Sequence, residues 1–450
     1  MQANMRFSLC AALALVASTY AAPQPVNDDG FTPLKVITEA NHLAKRDGHI
    51  LPLFQVWDTG LSDYQMFGGI DVTVGGQTFR LLFDSAASDI WIPSASFKCY
   101  TAPVEGFEPS PENFCVNAVY HSDTLSGGII DNLNYNETYV NGYNAFYGRA
   151  GYETVTIGGV TVKKQQIGFI DKGHWDVNTT AGCIGFAFPL YASEFFPGND
   201  PLKDKESDRL PAINWHLNAF KEGSIAPVFS HIYDKGFFPV GHEIGKLVLG
   251  GIPDVELTTE WASSPILKVV KQDLREPLSE AALKNTPYPD YGKYKITGEG
   301  VTFTVNGKTF PALDGTGDTF FIEIDSGSVP VFAAKSVIEE IAAALDPPFK
   351  YDSKRDANSL FGPCNTILKD MTLNIGGVSL PISKDSLMYT TTDVPGPPLP
   401  SESNDECAIA FYPNYPKYDE NYLFLGTRVL REFVTVYDVG KLQMRFAGRK

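Results

Sequence analysis

The sequence predicts an all-β protein of two lobes related by a pseudo-twofold axis, with a few short helices. Three features of the chain lead there. Forty glycines and thirty-one prolines, set among abundant Thr, Val, Ile, Phe and Tyr, favour short strands joined by tight turns. Hydrophobic residues make up 43% of the 450 residues and charged residues only 20%, a composition that folds into cores. Finally, the second half of the chain repeats landmarks of the first.

The repeats run in the same order. Thr73-Val74-Gly75-Gly76-Gln77-Thr78-Phe79 returns as Thr304-Val305-Asn306-Gly307-Lys308-Thr309-Phe310, each a strand, a glycine-containing turn and a second strand. An apolar run ending in aspartate follows each: Leu81-Leu82-Phe83-Asp84-Ser85-Ala86, then Phe321-Ile322-Glu323-Ile324-Asp325-Ser326-Gly327. A second hairpin, Thr154 to Val162, is echoed by Thr372 to Leu380. Gly185 of Cys183-Ile184-Gly185 and Gly426 of Phe424-Leu425-Gly426 each lie 101 positions after their aspartate. This is a duplicated β domain, with an N-terminal lobe over 47–254 and a C-terminal lobe over 255–450.

Duplication has a chemical consequence. A carboxylate at the end of an apolar strand is costly to bury unless it is hydrogen-bonded or shared. Two homologous halves packed about a twofold axis bring equivalent residues together there, so Asp84 and Asp325 are expected to face each other in a common cleft. Carboxylates that close cannot both ionise readily. They share a proton, one acting as acid and the other as base.

The N-terminus predicts export. Arg6 precedes an apolar run from Phe7 to Ala17, with small residues at Ala21 and Ala22, the pattern of a signal peptide over 1–21. The run is too short to span a bilayer, and no later stretch is long and apolar enough. A polar segment then reaches the dibasic pair Lys45-Arg46, which reads as the end of a propeptide over 22–46. The net charge of −17 argues against a nucleic-acid partner and suits work in acid. With Cys10 removed, five cysteines remain, and an oxidising compartment predicts two disulfides and one free thiol. Cys99 with Cys115 and Cys364 with Cys407 are the sensible local pairs, leaving Cys183 buried and inert. Asn136-Glu137-Thr138 and Asn178-Thr179-Thr180 are glycosylation sequons. An extracellular protein is expected, with an acidic vacuole as the other destination.

The residues around the two aspartates resemble a known family. Phe83-Asp84-Ser85-Ala86-Ala87-Ser88-Asp89-Ile90-Trp91-Ile92-Pro93-Ser94 resembles the first active-site segment of the pepsin-like aspartic proteases, and Ile324-Asp325-Ser326-Gly327-Ser328 resembles the second. Tyr64 to Ser94, Gly148 to Val155, Leu247 to Gly251 and Leu423 to Phe446 extend the resemblance along the chain, and Cys364 and Cys407 sit where the family often places a disulfide. The resemblance implies a bilobal endopeptidase acting as a monomer on protein or peptide substrates under acidic conditions. A water polarised by Asp84 and Asp325 would attack the scissile carbonyl, with no metal or organic cofactor. Ser85, Ser326, Gly327 and Ser328 would support the pair. Tyr139-Val140-Asn141-Gly142 best matches the tip of the flap, with Tyr139 covering the substrate, Tyr143 the alternative, and Trp91 able to bond the flap tyrosine.

The chain also departs from the family. Ala86 replaces a usual glycine, where its Cβ would crowd the turn. Ala87 replaces a serine that often bonds the first aspartate, and Val329 and Ala181 are further departures. A lost donor should raise the Asp84 pKa and make the optimum somewhat less acidic than is usual for the family. These departures leave a rival reading, a catalytically silent relative that binds peptides or proteins in the cleft.

Other motifs carry less. Asp58-Thr59-Gly60 lacks both the apolar strand and a repeat partner and reads as an ordinary turn. Gly307-Lys308-Thr309 lacks the first glycine of a phosphate loop, since Thr302 stands there, and His242-Glu243 lacks the second histidine of a zinc helix. Val337 to Leu345 has the apolar spacing of a helix packed on a core. Tyr100 to Asn134 and Tyr191 to Leu210 read as inserted loops.

Overall fold

The computed structural model describes residues 48–56, 67–100, 115–139, 144–175, 177, 179–192, 194–236, 238–268, 288–313, 320–352, 356–390, 405–414 and 422–450. All belong to one contact unit, Lys35–Lys450. The expected signal peptide and propeptide, the Asp58-Thr59-Gly60 triplet, Gly142, Tyr143 and Asn178 lie outside the described residues.

The first lobe runs through β1 (His49–Val56), β2 (Phe67–Val74), β3 (Gln77–Asp84), β4 (Ile90–Cys99), β5 (Ile129–Thr138), β6 (Ala145–Ile157), β7 (Val160–His174), β8 (Cys183–Gly185) and β9 (Phe195–Pro197). Strands β10 (Phe229–Tyr233), β11 (Glu243–Leu249) and β12 (Ala262–Pro265) lead into the second lobe. There follow β13 (Lys295–Thr297), β14 (Thr302–Val305), β15 (Lys308–Pro311), β16 (Phe321–Ile324) and β17 (Val331–Ala333). Next are β18 (Lys350–Asp352), β19 (Asp356–Pro363), β20 (Met371–Ile375), β21 (Val378–Pro381), β22 (Met388–Thr390), β23 (Glu406–Ile409), β24 (Phe411–Pro413) and β25 (Tyr422–Leu425). The chain closes on β26 (Phe433–Asp438) and β27 (Gln443–Gly448). Helices are few and short, as in the bilobal fold the sequence predicts.

The tight turns repeat one chemistry. Gly75-Gly76, Gly158-Gly159, Asn306-Gly307 and Gly376-Gly377 all have positive φ at both positions, the twisted two-residue turn that suits a hairpin. Thr73 and Thr78 meet hydroxyl to hydroxyl at 2.9 Å across the first turn, and Thr304 and Thr309 do so at 2.9 Å across its counterpart.

The repeat persists in the strands that carry the aspartates. β3 lies parallel to β8 with Phe83 opposite Ile184, and β16 lies parallel to β25 with Ile324 opposite Leu425. β8 also pairs antiparallel with β4 at Trp91–Cys183, and β25 with β17 at Phe332–Phe424. The apolar run into Asp84 is continuous because both strand faces are buried. Phe79, Leu81 and Phe83 enter the main core, while Leu82 enters a second cluster with Trp91, Phe146 and Trp175.

The halves are joined by a shared belt of strands, β12-β27-β26-β10-β11-β1, continuous with the first lobe's sheet. Its seam is the antiparallel pairing of β10 with β26, Phe229 opposite Tyr437. One local reading holds and one changes. The apolar spacing at 337–345 belongs to a helix over Lys335–Ala344 with Val337, Ile338, Ile341 and Ala342 buried. The supposed loop 191–210 contains β9, which pairs with β5 at Phe195–Tyr135. Three residues ending in proline give little strand signal, and an edge position tolerates Pro197.

Candidate active site

Asp84 and Asp325 each end a central strand and begin a turn. The Asp84 carbonyl accepts from Phe186 N–H at 2.8 Å, and Asp325 N–H donates to Leu425 O at 3.1 Å, so both turns are anchored to the neighbouring parallel strand. Between the lobes the turns interlock. Ser85 N–H donates to Ser326 Oγ, and Ser326 N–H to Ser85 Oγ, both at 2.9 Å. Ser85 Oγ donates to Ile324 O at 2.9 Å and Ser326 Oγ to Phe83 O at 3.1 Å. Each serine thus ties the residue before the opposite aspartate. Gly327 packs so closely on the Asp84 carboxyl group that a Cβ at this position would overlap it. Asp84 is buried, while Asp325, Ala86, Ala87, Gly327 and Ser328 keep partial exposure, which leaves this side open to solvent.

The electrostatics are unequal. Burial raises the pKa of both carboxyl groups. Asp84 Oδ1 accepts two amides, Ala86 N–H at 2.7 Å and Ala87 N–H at 3.1 Å, which oppose the rise. Asp325 Oδ1 accepts Gly327 N–H at 2.9 Å. It is pushed well above the usual carboxylate range, by burial first and then by the negative charge of Asp84. Asp84 is the better member to ionise and Asp325 the better proton carrier. Ala86 does not strain its turn: neither it nor its counterpart Gly327 has a positive φ. Glycine is required on the second side only, where Asp84 approaches.

The flap candidate is the β5–β6 hairpin. Thr138 pairs with Ala145, and Tyr139 N–H donates to Asn144 O at 2.9 Å. Beyond this point the tip, 140–143, lies outside the described residues. Trp91 Nε1 donates to Tyr139 Oη at 3.3 Å. Tyr139 packs near Trp175 and Phe146, ring centroids 5.6 and 6.2 Å away. Cys183 is unbridged and buried beside this cluster; burial, followed by the negative charge of Asp84, holds its thiol protonated. Cys99 is joined to Cys115 and Cys364 to Cys407. Among the described residues no cluster of His, Cys, Asp or Glu is suited to a metal ion.

Some site residues escape sequence reasoning. In the shared belt beside these turns, Tyr437 Oη lies 3.1 Å from His231 Nε2, and the buried Tyr233 hydroxyl has no hydrogen-bond partner among the described residues. All three are buried on β10 and β26, where they read as ordinary strand residues. Lys293 forms a salt bridge with Glu323 beside Asp325. Glu323 was visible as a charge inside an apolar run, whereas nothing in the pattern marked Lys293 as its partner.

The chain as a whole is similar to known proteins. The family model described as eukaryotic aspartyl protease matches residues 65–449. A probable aspartic-type endopeptidase of Aspergillus fumigatus is 27% identical over 380 residues, covering 84% of this chain and 77% of that relative. Mucorpepsin of Rhizomucor pusillus is 26% identical over 406 residues, 87% of this chain and 80% of its own. The crystal structure of an aspartic proteinase from Irpex lacteus shares the fold, with a TM-score of 0.59 at 15% identity, over 90% of this chain and 98% of that one.

Proposed function

Since this chain belongs to the eukaryotic aspartyl protease family and is an aspartic-type endopeptidase, we propose that Asp84 and Asp325 are its catalytic pair and divide the work unequally. The observation that carries the reading is the crossed bonding of Ser85 and Ser326, which draws the two aspartate turns together from opposite lobes.

In this reading Asp84 is the base, because two amides stabilise its ionised form, and Asp325 carries the shared proton. A water between them gives a proton to Asp84 as its oxygen attacks the scissile carbonyl carbon. Asp325 gives its proton to the carbonyl oxygen. The tetrahedral diol then collapses: the C–N bond breaks, the amine takes the proton from Asp84, and a diol proton returns to Asp325. Fixed donors at the base lower the reorganisation needed during the reaction. Tyr139, held by Trp91, closes the flap over the substrate. The proposal extends to secretion by the 1–21 signal, removal of 22–46, lobes meeting near Asp254, and action as an extracellular monomer on protein substrates.

The test is cleavage of peptides in mild acid by the processed protein, inhibited by a statine-type transition-state mimic. Asp84→Asn and Asp325→Asn should each abolish turnover while leaving the fold intact. Full turnover by either folded variant removes that residue from the pair.

A further inference from the structure

Asp325 shares its strand face with a second carboxylate. Side chains alternate along a strand, so Phe321 and Glu323 of β16 and the following Asp325 face one way, Glu323 about 7 Å along the chain from Asp325. β13 runs antiparallel to β16 with Lys295 opposite Glu323. The ladder continues beyond the strand, because Ile324 N–H donates to Tyr294 O at 3.0 Å. Lys293 comes one residue earlier, in a bend where its carbonyl accepts Lys295 N–H at 3.0 Å. Its ammonium reaches Glu323, Nζ to Oε1 2.6 Å. The Glu323 side chain is 1% exposed and that of Lys293 25%. An apolar strand has no packing need for a charge here, and burying one costs several kcal/mol unless it is compensated.

We propose that the Lys293–Glu323 salt bridge is a positioning pair for the catalytic aspartates, setting the pH range over which they share a proton. The inference rests on the catalytic assignment of Asp84 and Asp325. It is supported by the signs of the charges: Lys293 favours ionisation of both aspartates, whereas Glu323 opposes it in both. The intact bridge balances these effects, and loss of either partner unbalances them. Of the other groups nearby, Glu137 and Asp89 are acidic and lie on the first-lobe side, where they act on Tyr139 and Cys183. Tyr139 and Cys183 on the first-lobe side, Tyr233 and Tyr437 below, and Tyr294 on β13's approach are all held neutral by burial. His231, next to Tyr437, is pushed down to about 3. Lys295 faces Glu323 with its ammonium on the Tyr422 hydroxyl and 4.3 Å from the Phe321 ring centroid.

The experiment is the pH profile of kcat/KM for a peptide substrate without ionisable side chains near the scissile bond. Lys293→Met should move both limbs to higher pH and Glu323→Gln should move both to lower pH, each by about half to one unit. The double variant should return close to wild type, and Lys293→Arg should leave the profile in place. Lys293→Met leaves a buried carboxylate unpaired and can fail to fold; Glu323→Gln, which leaves only a partly exposed ammonium, then decides alone. Unmoved limbs in a Glu323→Gln protein that still binds the statine-type inhibitor overturn the proposal, as does an effect confined to KM at every pH. Turnover by Asp84→Asn would instead overturn the catalytic assignment, whatever the limbs do.

Discussion

Ser85 and Ser326 each donate a backbone N–H to the other's hydroxyl at 2.9 Å, across 241 residues of sequence. Both are fully buried, and neither hydroxyl has donor capacity left, since each donates to a carbonyl of the opposite lobe. The two aspartate turns are therefore held together by residues buried beneath them. Ser326→Ala strands the Ser85 N–H without its acceptor, at a cost of about 1–3 kcal/mol. Denaturant unfolding should show that loss, and steady-state kinetics should show a fall in kcat of about tenfold or more with little change in KM. Ser326→Thr, which keeps the hydroxyl, should lose less. Unchanged stability and kcat in Ser326→Ala would mean the interlock is incidental.

At Ala87 the prediction concerns pH. Asp84 Oδ1 takes the Ala87 amide at 3.1 Å, and the partly exposed methyl group beside it offers no further donor. Ala87→Ser adds a hydroxyl near the ionised carboxylate, which lowers its pKa. The acid limb of kcat/KM should shift to lower pH by about half a unit. A limb that stays in place shows that the two amides already saturate this carboxylate.

How much of this was legible follows from where the information sits. The two aspartates were readable because duplication wrote each of them into the same four-landmark frame. Ser85 and Ser326 were readable as neighbours of the pair, but their crossed bonds exist only once the lobes meet about the axis. Glu323 is a charge in an otherwise apolar run, a signal the repeat pattern passed over, and the partnership with Lys293 depends on the residues leading into a three-residue strand that has no periodicity of its own. Tyr233, Tyr437 and His231 look like strand filling until β10 pairs with β26. β9 was hidden by its brevity and its proline.

The Asn136 sequon makes a prediction about modification. Asn136 Nδ2 donates to Asp204 Oδ2 at 2.8 Å and to Pro201 O at 3.2 Å, tying the β5–β6 hairpin to the 200–204 turn. A glycan replaces one hydrogen on that nitrogen and crowds the turn, so at least one of these bonds is lost. Glycopeptide mapping of the protein made in a glycosylating host should find Asn136 unmodified, and Asn136→Asp should weaken stability by placing a second carboxylate against Asp204. High occupancy at Asn136 would show that the turn at 200–204 moves aside.

Acid stability is limited by two buried histidines. His216 is fully buried, stacked on Phe186 with ring centroids 4.8 Å apart; its Nε2 lies 3.4 Å from Tyr294 Oη, and its Nδ1 has no partner among the described residues. Burial pushes His216 and His231 down to about 3 from an ordinary value of 6.5. Between those values the unfolded chain binds protons that the folded chain refuses, so stability falls as pH drops from 6.5 towards 3, by roughly 1.4 kcal/mol per pH unit for each histidine. Asp84 and Asp325 act with the opposite sign. Their raised pKa values contribute stability that is fully present below the ordinary carboxylate value and is lost as pH rises through the folded ones. His216→Phe keeps the stacked ring and removes one titrating group while leaving the aspartates alone. Denaturant unfolding at pH 4 and pH 6 should therefore show a gap between the two conditions that differs from wild type by about 2–3 kcal/mol, in the direction of greater acid resistance. An identical gap would mean that His216 takes up its proton inside the folded protein.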